Sequence, residues 1–215
     1  MTEPVKPRRT YHSQRRKEQA EETRARILAA ARRLLVERGF AGATIAAIAD
    51  EAGTSQETIY QAFGNKRALL AELVQRAVRG DDPAPILEQA GPVAVTRSTD
   101  PAEQLRLFAE DVAQRLERAG PLMRVLADAG HTDPDLAALH RRFHQARRRN
   151  LRAFADALAA NAPLRVSRPQ AADTVWALAS PELHTFLTQT AGWSRKRYAA
   201  WLADTIMRAL IQTGV

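Results

Sequence analysis

The sequence predicts an all-α protein, with a small N-terminal domain built around a helix-turn-helix and a larger helical C-terminal domain. Three observations predict it. Apolar residues recur at intervals of three and four through most of the chain, as one face of a helix requires. Strand-like alternation never rises above noise. Helix-start residues (Thr44, Ser55, Asn65, Asp100 before Pro101, Asp133 before Pro134) stand directly ahead of the apolar-periodic segments.

Composition sets the outer bounds. The chain has 215 residues, 45% hydrophobic and 26% charged, with no cysteine. Disulfides, cysteine-zinc sites and thiol nucleophiles are thereby excluded. No apolar run is long enough to span a bilayer, and the first residues lack the hydrophobic stretch of a secretory signal, so the cytoplasm is the simplest expectation for location. The formal charge is +8 and unevenly spread. Residues 1–80 hold 15 Lys and Arg against 9 Asp and Glu, whereas residues 81–215 hold 17 against 15. An excess of cations at one end suits a polyanion partner there, although an Arg-rich solvated surface would give the same count.

The elements follow in order. Residues 1–20 hold six Lys and Arg, Pro4 and Pro7, and no apolar stripe, and read as a disordered basic arm. The first helix begins near Glu21 and carries Ile27, Leu28, Ala31, Leu34, Leu35 and Phe40, with Gly39 placed to end it as a left-handed cap. Thr44 caps a second helix carrying Ile45, Ile48, Ala49 and Ala52, which Gly53 breaks after barely two turns. Ser55 caps a third with Ile59, Ala62 and Phe63, and Asn65 a fourth with Leu69, Leu70, Leu73 and Val78. Residues 80–100, rich in Gly, Pro and Asp, read as a loop or linker. A helix then starts at Asp100-Pro101 with Leu105, Phe108, Val112 and Leu116, and a short separate one is expected over Pro121–Ala129. Asp133-Pro134 opens a long helix that ends at Asn161-Ala162-Pro163. Another runs from about Arg168, is interrupted at Ser180-Pro181 and stops near Gly192. The last spans Ser194 to about Gln212.

The stretch Thr44–Lys66 carries the chemistry. A major groove admits one helix, braced by the helix before it. Ala46, Ala47, Ala49 and Ala52 are small enough for the two to pack closely, and Gly53 allows the tight turn. The second helix then presents Thr54, Ser55, Gln56, Glu57, Thr58 and Gln61, all able to hydrogen-bond bases or phosphates. Tyr60 and Lys66 lie further along, where they reach phosphates. A helical hairpin with a polar outer face fits these residues equally well.

From about Thr23 to Leu73 the sequence resembles the TetR family of bacterial transcriptional regulators. The ordered string T-x3-IA-x2-AG-x-S-x2-TIY-x2-F-x2-K, from Thr44 to Lys66, carries the resemblance, together with Ile27, Ala30, Ala31, Leu35, Gly39, Phe40, Leu69 and Leu70. It implies a DNA-binding domain over 21–67 and an effector-binding and dimerisation domain over 68–215. It also implies a homodimer on a palindromic double-stranded DNA operator, with a small-molecule effector. Carried over by position, Thr44 would hold a phosphate, Gln56, Glu57, Thr58 and Gln61 would face the groove, and Tyr60 and Lys66 would clamp the backbone. Three departures stand out. Glu57 occupies a position where many members have Gly or Pro, Ala62 one where an aromatic or His is common, and Ala46 one that is often a polar DNA contact.

Between Thr44 and Arg67 there are two cations and three anions, so the motif is not itself basic. Phosphate attraction is then expected from backbone N–H groups and from Arg8, Arg9, Arg15, Arg16 and Lys17 of the arm, folding over DNA into the adjacent minor groove. A tail that only aids solubility is the alternative.

The C-terminal half is less informative. Val175, Trp176, Leu183, Phe186 and Leu187, with Trp201, Leu202, Ile206 and Leu210, form faces wide enough either for a two-fold seam or for the protomer's own core. The family resemblance favours the seam. WALASPELH (176–184) and GWSRKRYAAWL (192–202) look like a C-terminal subgroup of TetR regulators from high-GC bacteria, which names no ligand. A ligand pocket is expected between the fourth and eighth helices, with His140, His144, Arg147 and Asn150 as its polar candidates. His140 and His144 stand four apart and could share a metal, but no third ligand is evident, and neither a metal site nor a cofactor is assigned.

The reading is therefore a repressor released by a small molecule, with an architectural or weakly specific DNA-binding protein as the alternative. An enzyme is not expected, since no nucleophile-base pair, phosphate-binding glycine loop or carboxylate pair stands out.

Overall fold

The computed structural model describes residues 8–212, with side chains from residue 14 onward. Helix α1 runs Arg8–Gly42, α2 Ile45–Ala52, α3 Gln56–Phe63 and α4 Lys66–Arg79. A 3₁₀ turn at Ile86–Glu88 and α5 (Ala90–Arg97) precede two long helices, α6 (Pro101–Gly130) and α7 (Pro134–Asn161). Then come α8 (Arg168–Leu178), α9 (Pro181–Thr185), a π-helical turn (Phe186–Thr190) and α10 (Arg195–Leu210). Among the described residues no strand forms, only an isolated antiparallel bridge between Leu164 and Ile211. The all-α expectation holds.

The chain divides into two compact units, with the division between Leu73 and Val74, within α4. In the first unit α1, α2, α3 and the start of α4 enclose a core of Ile27, Leu34, Leu35, Ile48, Ile59, Leu69 and Leu70, each almost fully buried. Each such side chain contributes about 1.5–3 kcal/mol of burial free energy. The N-caps expected for α2, α3 and α4 are present. Thr44 Oγ1 accepts from the Ala47 amide at 3.1 Å, Ser55 Oγ from Thr58 at 3.1 Å and Asn65 Oδ1 from Ala68 at 2.9 Å.

Four expectations change. The arm read over 1–20 is helical from Arg8, while residues 1–7 and the side chains of Arg8 and Arg9 lie outside what is described. Gln, Arg, Lys, Glu and Ala are strong helix formers that need no apolar stripe to extend an existing helix. Gly39 does interrupt α1, but with φ 68° and ψ 178°, an extended positive-φ conformation open to glycine alone, and not the left-handed cap expected. The linker over 80–100 contains α5 and the 3₁₀ turn, held by Gln89, which donates to the carbonyls of Asp82 and Ala84 at 3.1 Å each.

The fourth change is at Pro121, which sits inside α6 instead of starting a new helix. Proline within a helix costs about 3 kcal/mol. Here Leu116, Ala119, Leu122, Met123, Val125 and Leu126 form one continuous buried face across it, and that burial outweighs the loss.

In the second unit α6 lies against α5, α7, α9 and α10, and α7 against α8. Phe108 and Phe154 stack with centroids 3.6 Å apart and planes 7° from parallel. Tyr198 is fully buried, its hydroxyl 3.4 Å from the Leu178 carbonyl, and burial pushes its phenol pKa well up.

Candidate functional site

The first unit's site is the pair α2–α3. Gly53 adopts φ 61° and ψ 46°, the left-handed conformation that costs L-residues about 1–2 kcal/mol. Its amide bonds to the Asp50 carbonyl at 3.2 Å and the Thr54 amide to Ala49 at 3.0 Å, so the end of α2 closes as a Schellman turn and α3 begins at once. Ala49 and Ala52 are buried in the packing, Ala47 partly so, and Ala46 is exposed and takes no part.

On α3, Ile59 and Phe63 turn inward. Ser55, Gln56, Glu57, Tyr60 and Gln61 are exposed, and Thr54 and Thr58 half-buried. Thr58 Oγ1 lies 2.8 Å from Ser55 Oγ, so both hydroxyls are already engaged in the cap. Gln61 Nε2 donates to Glu57 Oε1 at 3.3 Å, which ties these two candidate base contacts to each other. Thr44 is exposed at the start of α2, next to amides that an anion would meet.

Lys66 has a different employment from its fellow candidates. Its Nζ donates to the Phe40 carbonyl at 2.7 Å and sits 4.3 Å from that ring's centroid, and burial lowers its pKa. It pins the start of α4 to the end of α1 with one of its three donors. Arg24, which sequence reasoning passed over, does the matching job. It donates to the Ala62 carbonyl at 2.8 Å, pairs with Glu72 and covers the Phe63 ring at 4.2 Å. Arg33 pairs with Glu51 and links α1 to α2. With these cations occupied structurally, the exposed face of α3 bears one formal charge, that of Glu57.

The second unit contains a cavity of about 580 Å³. The last turns of α4, the segment 83–87, α5, α6 and α7 surround it, with Ala179 and Pro181 at one side. Its wall is chiefly apolar: Val95, Phe108, Leu116, Met123, Phe143 and Phe154 are typical. Of the polar candidates on α7, Arg147 and Asn150 line it and His140 and His144 do not. Asp111, at the cavity's edge, is neutralised by Arg115 (2.7 Å), which also donates to the Val78 carbonyl at 3.0 Å. Arg147 has no such carboxylate. Its guanidinium donates to the Trp176 carbonyl, stands 5.5 Å from that ring's centroid, and keeps a buried Nη1 with no hydrogen-bond partner. Burial brings its pKa down to about 10, so it remains a cation at neutral pH.

The apolar lining was not legible beforehand, because a residue facing a cavity and one facing a core have the same sequence signal. His140 and His144 instead face each other, their Nε2 atoms 3.0 Å apart, and burial lowers the pKa of both. The faces proposed for a two-fold seam divide. Val175, Leu202, Ile206 and Leu210 are buried within the protomer, whereas Phe186 is 58% exposed and Trp176, Leu183, Leu187 and Trp201 are half-buried.

Two short helices in this relation, with a packed inner face and a polar outer one, form a helix-turn-helix. Residues 27–73 match the family profile of bacterial regulatory proteins, tetR family. The HTH-type transcriptional regulator YdeS of Bacillus subtilis is 33% identical over 137 residues, 63% of this chain and 64% of that one. TtgR of Pseudomonas putida is 51% identical over 61 residues, 28% of this chain and 27% of that one. The chain thus aligns with under two thirds of the length of these curated relatives. Among solved structures, NalD, the secondary repressor of the MexAB-OprM efflux pump in Pseudomonas aeruginosa, superposes with TM-score 0.69 at 22% identity, covering 92% of this chain and 100% of that one. A transcriptional regulator from Saccharomonospora viridis in complex with choline gives 0.68 at 22% identity, covering 90% and 100%. Over residues 27–73 the chain thus carries the N-terminal domain of the tetR family of bacterial regulatory proteins, and beyond it the chain shares the fold of TetR-family regulators.

Proposed function

We propose that this regulator is a repressor that binds a palindromic DNA operator as a homodimer and leaves it when a small molecule fills the cavity of the second unit. The exposed polar face of α3 behind a Schellman turn is the observation that carries the DNA half of the reading. Gln56, Glu57 and Gln61 reach base edges, Thr44 and Tyr60 phosphates, and helix-terminal amides supply attraction that the motif's own charge does not. Lys66 keeps two donors for phosphate while one holds Phe40.

The cavity carries the effector half. Its apolar wall suits an apolar molecule, and Arg147 Nη1 suits a carbonyl or carboxylate oxygen on it. The Saccharomonospora regulator was solved with choline. A quaternary ammonium fits this cavity less well, because its acidic residue, Asp111, is already paired and Arg147 would repel a cation. Binding would favour a conformation in which two recognition helices no longer match successive major grooves, about 34–36 Å apart.

Selection of bound sequences from a random DNA pool tests the DNA half. The expected outcome is a two-fold symmetric consensus with half-sites one helical turn apart. Recovery of unrelated sequences would establish the architectural alternative instead.

A further inference from the structure

The long helix α7 places His140 and His144 one turn apart on the same face, and their Nε2 atoms are 3.0 Å from each other. The fold adds what the sequence could not show. Ser180 and Pro181 restart the chain as α9, and its second residue, Glu182, sets Oε1 3.7 Å from His144 Nε2. One ligand atom from each of the three residues fits within a 4.8 Å cluster. Two ligands each about 2.0–2.1 Å from a tetrahedral zinc stand roughly 3.3 Å apart, so the observed separations bracket the required one.

We infer that His140, His144 and Glu182 form a site for a divalent transition ion of the zinc type, tying α7 to α9 beside the ligand cavity. Two imidazoles and one carboxylate suit zinc or its late first-row neighbours and not magnesium or calcium, which require a cage of oxygens. A fourth position remains for water or an exogenous ligand. Glu182 is well exposed, 63% at its side chain, which leaves its carboxylate room to close on an ion. His144 Nδ1 has no hydrogen-bond partner, and the absence of that supporting contact weakens ligation by about 10–100-fold. The site is therefore an exchangeable one. Its position gives the ion an effect on the cavity: Phe143 and Arg147 flank His144 on α7, Pro181 precedes Glu182, and all three line the cavity. An ion that fixes α7 to α9 fixes that part of the wall.

The test is zinc competition between the metal-stripped full chain and a chromophoric chelator, without DNA or effector, so that its result is independent of the proposed repressor function. Wild type is expected to take up one zinc per chain and to melt at a higher temperature with zinc than without. His140→Ala/His144→Ala should abolish both effects, Glu182→Gln should weaken uptake at least tenfold, and His131→Ala should leave it unchanged. Each variant's helical circular dichroism at 20 °C confirms that it is folded. Equal uptake by wild type and the double variant, or loss of uptake on replacing His131 alone, would overturn the assignment.

Discussion

Glu57 is the residue at which local stability and function pull apart. A carboxylate in the first turn of α3 favours the helix dipole by a few tenths of a kcal/mol, yet on the proposed DNA-facing surface it would repel phosphates. Glu57→Gln should therefore strengthen binding to unrelated DNA several-fold. If Glu57 accepts from a cytosine amino group, the same variant also relaxes preference at one position of the consensus, read by competition with single-base operator variants. Gly53 makes the opposite case, a residue that touches nothing and fixes the geometry. A Cβ there would find only Arg26 Nη1 at 3.8 Å, so space is available and the backbone alone objects. Gly53→Ala should cost about 1–2 kcal/mol in urea unfolding and weaken operator binding with it. Both residues were legible, because capping and turn chemistry are local. Lys66 and Arg24 were not, since their partners, the Phe40 and Ala62 carbonyls, lie 26 and 38 residues away in sequence.

At the scale of elements, helices with their own start signal are legible in the sequence: Thr44, Ser55, Asn65, Asp100, Asp133, Ser180 and Ser194 all immediately precede a helix in the structure. Misreadings arose where tertiary packing overruled a local signal. Pro121 reads as a start but is carried through by the buried face of α6, and α5 is hidden in a segment of breakers because its one fully buried apolar residue is Val95. The cavity is a property of several elements together. Replacing Ala146, a small residue in its α7 wall, by Trp should fill part of it. The expected outcome is loss of effector response with operator affinity retained, measured by fluorescence anisotropy of labelled DNA. Loss of both together would mean that the wall and the fold had failed as one.

Two predictions belong to the whole molecule. If the seam proposed for the homodimer includes the last helices, Phe186 is its most exposed large apolar residue, and Phe186→Glu should shift sedimentation from dimer to monomer. Operator binding would weaken with it, because two half-sites would no longer be held at fixed spacing. The helical N-terminal extension concerns the protein's field as a whole. Arg15, Arg16 and Lys17 are exposed on α1, whereas the helix-turn-helix has more anions than cations. Deleting residues 1–19 should reduce the slope of log affinity against log salt by about 0.9 for each phosphate that the segment neutralises. An unchanged slope would assign this segment to solubility alone. No helix among the described residues is long and apolar enough to cross a membrane.

The cavity's wall has a consequence for dose and response. If the cavity receives the proposed effector, its chiefly apolar wall, in which Arg115 is already paired with Asp111, would rank ligands largely by partition out of water, at about 0.8 kcal/mol per methylene. Along a homologous series of chain lengths, the concentration that half-releases the operator should fall about fourfold per added carbon. The trend should reverse abruptly once the chain outgrows the roughly 580 Å³ available. A sensor built on such a cavity would measure how oily a molecule is and whether it fits, and would answer to chemical strangers that share only those two properties.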